Sequence, residues 1–312
     1  MALDVPGDDS DDDDRRERSD RVVVSDDGAR LGVQVHGVPV EGVQGPHAAD
    51  GSEGATLVLA HGWTLDHRSW DPVVARLGAA YGIRIVTWDQ RGHGSSTLAG
   101  GRRRGGRQSI EQLGHDLAAV IAATAPTGPL VLGGHSMGGM TVMAYAGQRP
   151  AEVASRVRGV GLVSTSAGGL AHGIPRAQKL VMAGLGRGLP LRPGPFITTR
   201  GQRDLLFGEQ ADPASVALTR DQVAGTPLPA FGGFHGALMR HDQVAALATL
   251  GRVPVRVIVG ERDRLTPLRH ARALVDAMPH ADLEVVPGAG HMLTYEATDR
   301  VVALFGTLLA GV

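Results

Sequence analysis

One serine of the sequence stands between glycines in a pattern that suits nucleophilic chemistry. The segment Gly134-His135-Ser136-Met137-Gly138 has the form G-x-S-x-G, in which a sharp turn between a strand and a helix exposes the serine hydroxyl. Glycines are needed on both sides because side chains there would collide with the neighbouring strand and helix. With 45 glycines in the chain the pattern alone is weak. However, the apolar run PLVLGG before it and the helical pattern TVMAYAGQ after it supply the context that the motif requires.

A base and an acid for this serine are indicated by their positions after apolar runs. Such a serine needs a base to take its proton and a third group to hold the base in one tautomer. Of the 13 histidines, His291 is the candidate base because it follows the run DLEVVP within the segment GAGH. Asp263 is the candidate acid, since it follows the run PVRVIVG one strand earlier. Both are expected at the carboxyl edge of the sheet, where open α/β sheets bind ligands.

Attack on an ester carbonyl creates an oxyanion, which is stabilised by preorganised N–H donors. The candidates are the backbone amides of Met137, directly after the serine, and of Trp63 in the segment HGW, because each begins the turn after its strand. The indole of Trp63 is expected to shape the substrate pocket. The other predicted pocket residues are Phe231, Phe234 and Met292.

Regular alternation of patterns predicts the scaffold that positions these residues. Six apolar runs have the length and β-branched content of buried strands, at residues 56–60, 83–88, 129–134, 157–164, 254–260 and 282–287. Residues 21–37 add two short strands around the turn residues Asp27 and Gly28. Helical patterns separate the runs, and the clearest begins at a capping box of Ser109 and Gln112. We therefore predict an α/β fold with a mostly parallel eight-stranded sheet and helices on both faces.

The alternation is interrupted between residues 168 and 250. This interval has no comparable strand but contains four of the five phenylalanines, Phe196, Phe207, Phe231 and Phe234. An insertion of this length is more typical of a helical cap than of a structureless loop. The predicted organisation is a hydrolase core at 21–167 and 251–312 with a cap at 168–250 whose phenylalanines face the triad.

Composition favours a small-molecule partner. The 31 basic and 32 acidic residues give a formal charge of −1, so no global field attracts nucleic acid or an anionic membrane. The chain has no cysteine, and neither a metal nor a nucleotide cofactor is expected. Residues 1–20 are predicted to be a disordered acidic tail. Because no signal peptide or long apolar run is visible, we expect a cytoplasmic protein, with a homodimer as a candidate assembly.

Five segments in succession resemble the α/β-hydrolase superfamily. They are HGW at 61–63, DQRGHGSS at 89–96, GHSMGG at 134–139, GERDRLTP at 260–267 and GAGHM at 288–292. The resemblance runs from Val23 to the C-terminus and implies a serine hydrolase with a triad of Ser136, Asp263 and His291. It also implies that DQRGHGSS is a structural turn. The GHSMGG segment resembles esterases, monoacylglycerol-lipase-like enzymes, cofactor-free perhydrolases and carbon–carbon bond hydrolases alike.

Other relatives fit the residue types less well. Haloalkane dehalogenases and epoxide hydrolases use an aspartate where this chain has Ser136, and hydroxynitrile lyases depend on a lysine beside the triad, whereas the single lysine, Lys179, falls in the cap. We predict hydrolysis of a carboxylic ester or lactone of a small, largely apolar substrate through an acyl-enzyme. One alternative is a carbon–carbon bond hydrolase, although the sequences of that family resemble Gly-His-Trp at the point where this chain has Met292 after His291. The other alternative is a non-hydrolytic cyclase or acyltransferase.

Overall fold

The computed structural model describes residues 18–37, 54–98, 108–171, 176–188 and 191–312. The acidic segment predicted as a tail lies outside the described residues up to residue 17. Its last three residues do not belong to a tail, because they pair in the first strand of the sheet.

Eight strands form one sheet, as predicted. They are β1 (Arg18–Val24), β2 (Arg30–His36), β3 (Thr56–Ala60), β4 (Arg84–Trp88), β5 (Leu130–His135), β6 (Val157–Val163), β7 (Val255–Gly260) and β8 (Asp282–Val286). Their order across the sheet is β1-β2-β4-β3-β5-β6-β7-β8. The pairs β1–β2 and β2–β4 are antiparallel, and every pair from β4 to β8 is parallel. The six predicted runs differ from the observed strands by at most one residue at either end.

Helices connect the strands and cover the sheet. They are α1 (Asp71–Tyr81), α2 (Ile110–Thr124), α3 (Met137–Gln148), α4 (Pro150–Arg156), α5 (Arg176–Leu185), α6 (Thr199–Leu206), α7 (Pro213–Gly225), α8 (Leu228–Arg240), α9 (Leu247–Leu250), α10 (Leu268–Ala277), α11 (Leu293–Glu296) and α12 (Thr298–Leu309). Short 3₁₀ turns occur at His67–Trp70, Gly194–Phe196 and Val244–Ala246. At the start of α2, the Ser109 hydroxyl accepts a hydrogen bond from the Gln112 amide at 3.2 Å. Half of the predicted capping box is therefore present, because the Gln112 side chain donates to Asp26 instead.

Alternate strand residues bury against two helical layers. Leu57 and Leu59 of β3 face a cluster that includes residues of α1 and α12, whereas Val58 and Ala60 face a second cluster that includes residues of α2, α3 and α10. Because both faces are covered, the central strands β3 and β5 are buried along their whole length instead of alternating between buried and exposed residues. This doubly covered sheet holds its carboxyl edge rigidly, and all three proposed triad residues follow that edge.

Helices α5 to α9 occupy the interval predicted as a cap. Helix α5 packs closely on α8, where a side chain on Gly232 would collide with the backbone of Met182 and Gly186. The cap rests on the core through polar contacts as well. The Gln222 amide donates to Asp66 at 3.0 Å, and the Thr226 hydroxyl donates to the carbonyl of Thr64 at 3.1 Å.

The segment DQRGHGSS forms a structural turn, as its resemblance implied. Buried Asp89 accepts hydrogen bonds from the backbone amide and ring of His67 and from the amide and hydroxyl of Ser95. Arg91 is also buried and pairs with Asp116 and Asp27. Burial opposes a charged guanidinium, but these two carboxylates raise the pKa of Arg91 above its ordinary value. Buried hydrogen bonds and ion pairs thus hold this turn in place.

Candidate active site

Ser136 lies on a strained turn at the end of β5. Its backbone angles are φ 54° and ψ −118°, a left-handed φ that costs a non-glycine residue on the order of 1–3 kcal/mol. The turn persists because its surroundings hold it. The Ser136 amide donates to the carbonyl of Val163 at 2.9 Å, and the Thr165 hydroxyl donates to the carbonyl of Ser136 at 2.7 Å. Strain at a residue held this firmly is typical of functional sites.

The glycines around Ser136 allow three backbones to approach closely. A side chain on Gly134 would collide with the backbone of Gly138, and a side chain on Gly138 would collide with the carbonyl of Ala60. The G-x-S-x-G spacing therefore has the steric cause proposed from the sequence. It brings the start of α3 against the end of β3.

Asp263 and His291 form a buried pair at the same edge. His291 Nδ1 lies 2.8 Å from Asp263 Oδ2, and the two residues are 3% and 4% exposed. The carboxylate also accepts hydrogen bonds from the amides of Leu265 and Thr266 and from the Thr266 hydroxyl. Burial raises the pKa of Asp263, but His291 and the bonds from Thr266 outweigh it and lower that pKa to about 2. Because a carboxylate that is charged at neutral pH accepts the hydrogen bond from Nδ1–H, Nε2 of His291 is the nitrogen that can accept a proton.

His135 connects the serine turn to the His291 loop. Its Nε2–H donates to the carbonyl of His291 at 2.9 Å, and the two ring centroids are 4.9 Å apart. Burial and the neighbouring His291 lower the pKa of His135 to about 3. His61 is bonded to backbone in the same way, and burial lowers its pKa also. Both histidines are therefore neutral structural groups.

The candidate oxyanion donors follow neighbouring strands that are paired in register. Ala60 of β3 pairs with Gly134 of β5, and Trp63 and Met137 each follow three residues later along parallel strands. Among the described residues, neither the Trp63 nor the Met137 amide donates a backbone hydrogen bond. Met137 is also the first residue of α3, where the helix dipole favours negative charge.

The cap supplies part of an apolar wall beside these groups. The rings of Trp63 and Phe231 are 4.9 Å apart, and His235 lies 5.8 Å from Trp63 on the same helix as Phe231. Phe234, predicted in the pocket, has no accessible surface and packs against the ring of His93. Phe234 therefore packs beneath the apolar wall and does not line the pocket surface.

The other predicted lining residues divide between the interior and the surface. Met292 is 1% exposed in a cluster with Leu65, Leu206 and Phe207. The expectation that all cap phenylalanines face the triad is wrong for Phe196, which is 88% exposed. The composition of this interval shows that the cap contains apolar residues, but it does not show which face of a helix they occupy.

Glu296 is a site residue that the sequence analysis missed. Its carboxylate accepts hydrogen bonds from the amides of Gly290 at 3.0 Å and Met292 at 3.0 Å, which flank His291, and from the amide of Gly208 in the cap at 2.6 Å. The His291 amide in turn donates to the carbonyl of Leu206 at 2.7 Å. The histidine loop is thus tied to the end of α6 through one side chain. A lone glutamate five residues after His291 carries no sequence signal of this role.

One group of side chains has the geometry of a metal site. The ligand atoms of Asp66, His67 and Asp89 lie within 4.8 Å of one another. The carboxylate oxygens already accept hydrogen bonds from Arg68, Gln222, His67 and Ser95. These hydrogen bonds explain why the three side chains lie close together, since they form a polar contact between the core and the cap.

Comparison with known proteins identifies the family of the chain. The family described as serine aminopeptidase, S33, matches residues 51–298, which include every candidate site residue. The chain belongs to this family of α/β-hydrolases. In this hydrolase, as in others of the fold, the proposed triad follows the order serine, aspartate, histidine.

Relatives of this α/β-hydrolase include ester-cleaving enzymes. It is 31% identical to a monoacylglycerol lipase of Mycolicibacterium smegmatis over 79% of this chain and 84% of the relative. It is 28% identical to a pimeloyl-[acyl-carrier protein] methyl ester esterase of Xanthomonas campestris pv. campestris over 80% of this chain and 92% of the relative. A solved thermophilic esterase from Thermogutta terrifontis shares the fold with a TM-score of 0.72 and 21% identity, covering 94% of this chain and 98% of that one. Among the described helices of the hydrolase, none has the length and apolarity to span a bilayer.

Proposed function

We propose that this α/β-hydrolase cleaves carboxylic esters, including lactones, of small and largely apolar substrates through an acyl-enzyme on Ser136. The observation that carries the proposal is the buried Asp263–His291 pair at 2.8 Å, whose loop is joined through His135 to the turn that holds Ser136 at positive φ. The lipase and the methyl ester esterase among the relatives support ester cleavage as the reaction class.

The proposed chemistry needs only side chains and amides of this chain. The Ser136 hydroxyl attacks the ester carbonyl while its proton passes to Nε2 of His291, and Asp263 stabilises the resulting imidazolium. The amides of Trp63 and Met137 donate to the oxyanion, which is worth about 2.7–4 kcal/mol of barrier for one such donor. Collapse expels the alcohol, which takes its proton from His291. A water molecule then repeats the sequence at the acyl carbon and releases the acid.

Apolar walls support the proposed substrate class. The Trp63–Phe231 pair lies on one side of the site, and the cluster of Leu65, Phe207 and Met292 lies beside His291. Both groups belong to clusters of buried and partly buried hydrophobic side chains. An apolar acyl or alcohol group would gain burial against them, since each buried methylene contributes about 0.8 kcal/mol.

A panel of p-nitrophenyl esters from acetate to decanoate tests the proposal. We expect turnover by the full chain and its loss in Ser136→Ala, whose missing hydroxyl removes the nucleophile. Thr165→Val is the matched control, because it removes a buried hydroxyl that contacts the same turn without supplying the attacking oxygen. Turnover that survives in Ser136→Ala would overturn the proposed mechanism. Acyl transfer to an added alcohol without release of free acid would assign the chain to transferases.

A further inference from the structure

The segment that carries the candidate donor Trp63 has a strained backbone. We call residues 61–66, which directly follow β3, the oxyanion loop. Within this loop Thr64 has φ 65°, in the left-handed region that a β-branched residue rarely adopts. Such a conformation persists only when the surrounding structure holds it. The position of the Trp63 amide, one residue earlier, therefore depends on the contacts that hold Thr64.

Two side chains of the cap contact the oxyanion loop through hydrogen bonds. The Thr226 hydroxyl donates to the carbonyl of Thr64 at 3.1 Å, and the Gln222 side-chain amide donates to Asp66 Oδ1 at 3.0 Å. Both donors are buried. They are four residues apart at the C-terminal end of α7, so they lie on one face of the helix. One helix end thus holds the loop at the strained residue and again two residues later.

The core holds the two ends of the oxyanion loop. At its start, the Gln90 side-chain amide donates to the carbonyl of His61. At its end, the amide and guanidinium of Arg68 donate to the carboxylate of Asp66. Among the hydrogen bonds of the described residues, the bond from Thr226 is the one that reaches the carbonyl of the strained residue. The cap therefore supports the part of the loop that the core contacts do not.

The oxyanion loop has room to relax towards the cap. A cleft of about 430 Å³ borders the contact between the loop and α7, and its lining includes Leu65, Asp66, Gln222 and Thr226. Without the bond from Thr226, a return of Thr64 to a negative φ would rotate the peptide that joins it to Trp63. Hydrogen bonds, and not dense packing alone, therefore hold the loop on this side.

We propose that Thr226 and Gln222 are positioning residues for the oxyanion loop, and that the cap thereby fixes the Trp63 amide where it donates to the oxyanion. The inference rests on the proposed function, because it concerns a donor of that mechanism. Helix α8 contributes to the pocket wall, whereas the end of α7 supports the donor. Loss of a whole oxyanion donor costs about 10²–10³ in kcat, so displacement of one donor should cost less, about tenfold.

Steady-state kinetics of the full chain on p-nitrophenyl acetate test the proposal. Thr226→Val keeps the shape of the side chain and removes the hydroxyl, and it should lower kcat about tenfold while KM changes less than about twofold, since the loss falls on the transition state. Thr226→Ser keeps the hydroxyl and should restore kcat. Gln222→Met should lower kcat only about threefold, because Arg68 still donates to Asp66.

The matched control is Thr219→Val on the same helix. The Thr219 hydroxyl is buried and donates to the carbonyl of Ser215 at 2.8 Å, as the Thr226 hydroxyl also donates to the carbonyl of Gln222 at 3.2 Å. The two valine variants therefore share the loss of an intrahelical bond and differ in the contact with the oxyanion loop. Thr219→Val should keep the kcat of the unchanged chain.

Hydrogen–deuterium exchange of the oxyanion loop gives a second measurement that needs no catalysis. The Leu65 amide donates to the carbonyl of Gly62 at 3.2 Å, and its exchange should be faster in Thr226→Val than in Thr219→Val. Equal kcat in these two variants, or a loss that Thr226→Ser does not restore, would overturn the positioning role. Absence of turnover by the unchanged chain would instead overturn the proposed function, and exchange would then decide alone whether Thr226 holds the loop.

Discussion

Replacing Glu296 by glutamine should impair catalysis although the side chain never meets the substrate. The carboxylate accepts three backbone N–H groups, two of which flank His291. An amide keeps one oxygen and turns an NH₂ group towards at least one of these donors. Hydrogen bonds to charged groups contribute about 1.5–3 kcal/mol each. A loss of about 2 kcal/mol that falls on the position of His291 lowers kcat/KM about 30-fold.

The matched control is Glu261→Gln. The Glu261 carboxylate lies at an exposed position and accepts a hydrogen bond from one backbone amide, that of Gly288. We expect it to lower kcat/KM less than about threefold, in line with a surface contact. Both variants should be assayed on p-nitrophenyl acetate at 25 °C, with thermal unfolding followed in parallel. The loss in Glu296→Gln should appear in kcat more than in KM, because the substrate walls are unchanged. Equal effects of the two variants, or a loss explained by the unfolded fraction, would refute the positioning role of Glu296.

The other predictions concern the acid and the substrate wall. Asp263→Asn should keep the fold, checked by circular dichroism, and lower kcat about 10⁴-fold because the wrong histidine tautomer is favoured; a small loss would contradict this. Because the pKa of Asp263 falls from 3.8 to about 2 on folding, its stabilisation, on the order of 2 kcal/mol, is complete above about pH 4 and lost towards pH 2. Urea titrations should show the advantage of the unchanged chain over Asp263→Asn shrinking in that interval, and a constant difference would contradict the linkage. On the ester series, affinity should rise about three- to fourfold per methylene until the pocket is full. Phe231→Ala should flatten this rise and leave acetate turnover unchanged, whereas Phe196→Ala, at an exposed cap position, should preserve it.

The sheet, and the positions of the three candidate residues relative to it, could be predicted because their causes are local in sequence. A strand buried on both faces is a continuous apolar run, so the strand limits were found to within one residue. Residues just after such runs lie at the carboxyl edge, so Ser136, Asp263 and His291 could be assigned to one edge of the sheet without any knowledge of contacts. The steric need for glycine at positions 134 and 138 was equally local.

What could not be predicted depends on partners distant in sequence. Gly208 and Glu296 are 88 residues apart, and no spacing indicates their hydrogen bond. The cap phenylalanines were counted but not oriented. Phe196 is exposed on a 3₁₀ turn, whereas Phe234 lies on the buried face of α8, and both orientations depend on contacts distant in sequence. Arg18 and its neighbours were placed in a tail because their polar residue types carry no strand pattern, whereas backbone pairing with β2 places them in β1 at the edge of the sheet.

The central claim, that Ser136 is a nucleophile activated by His291 and Asp263, is tested most directly by covalent labelling. The full chain should be treated with a fluorophosphonate and digested, and the adduct located by mass spectrometry. We expect one adduct, on Ser136, with labelling absent in Ser136→Ala and strongly slowed in His291→Ala. An adduct on another serine, or labelling of Ser136 at an unchanged rate without His291, would contradict the account.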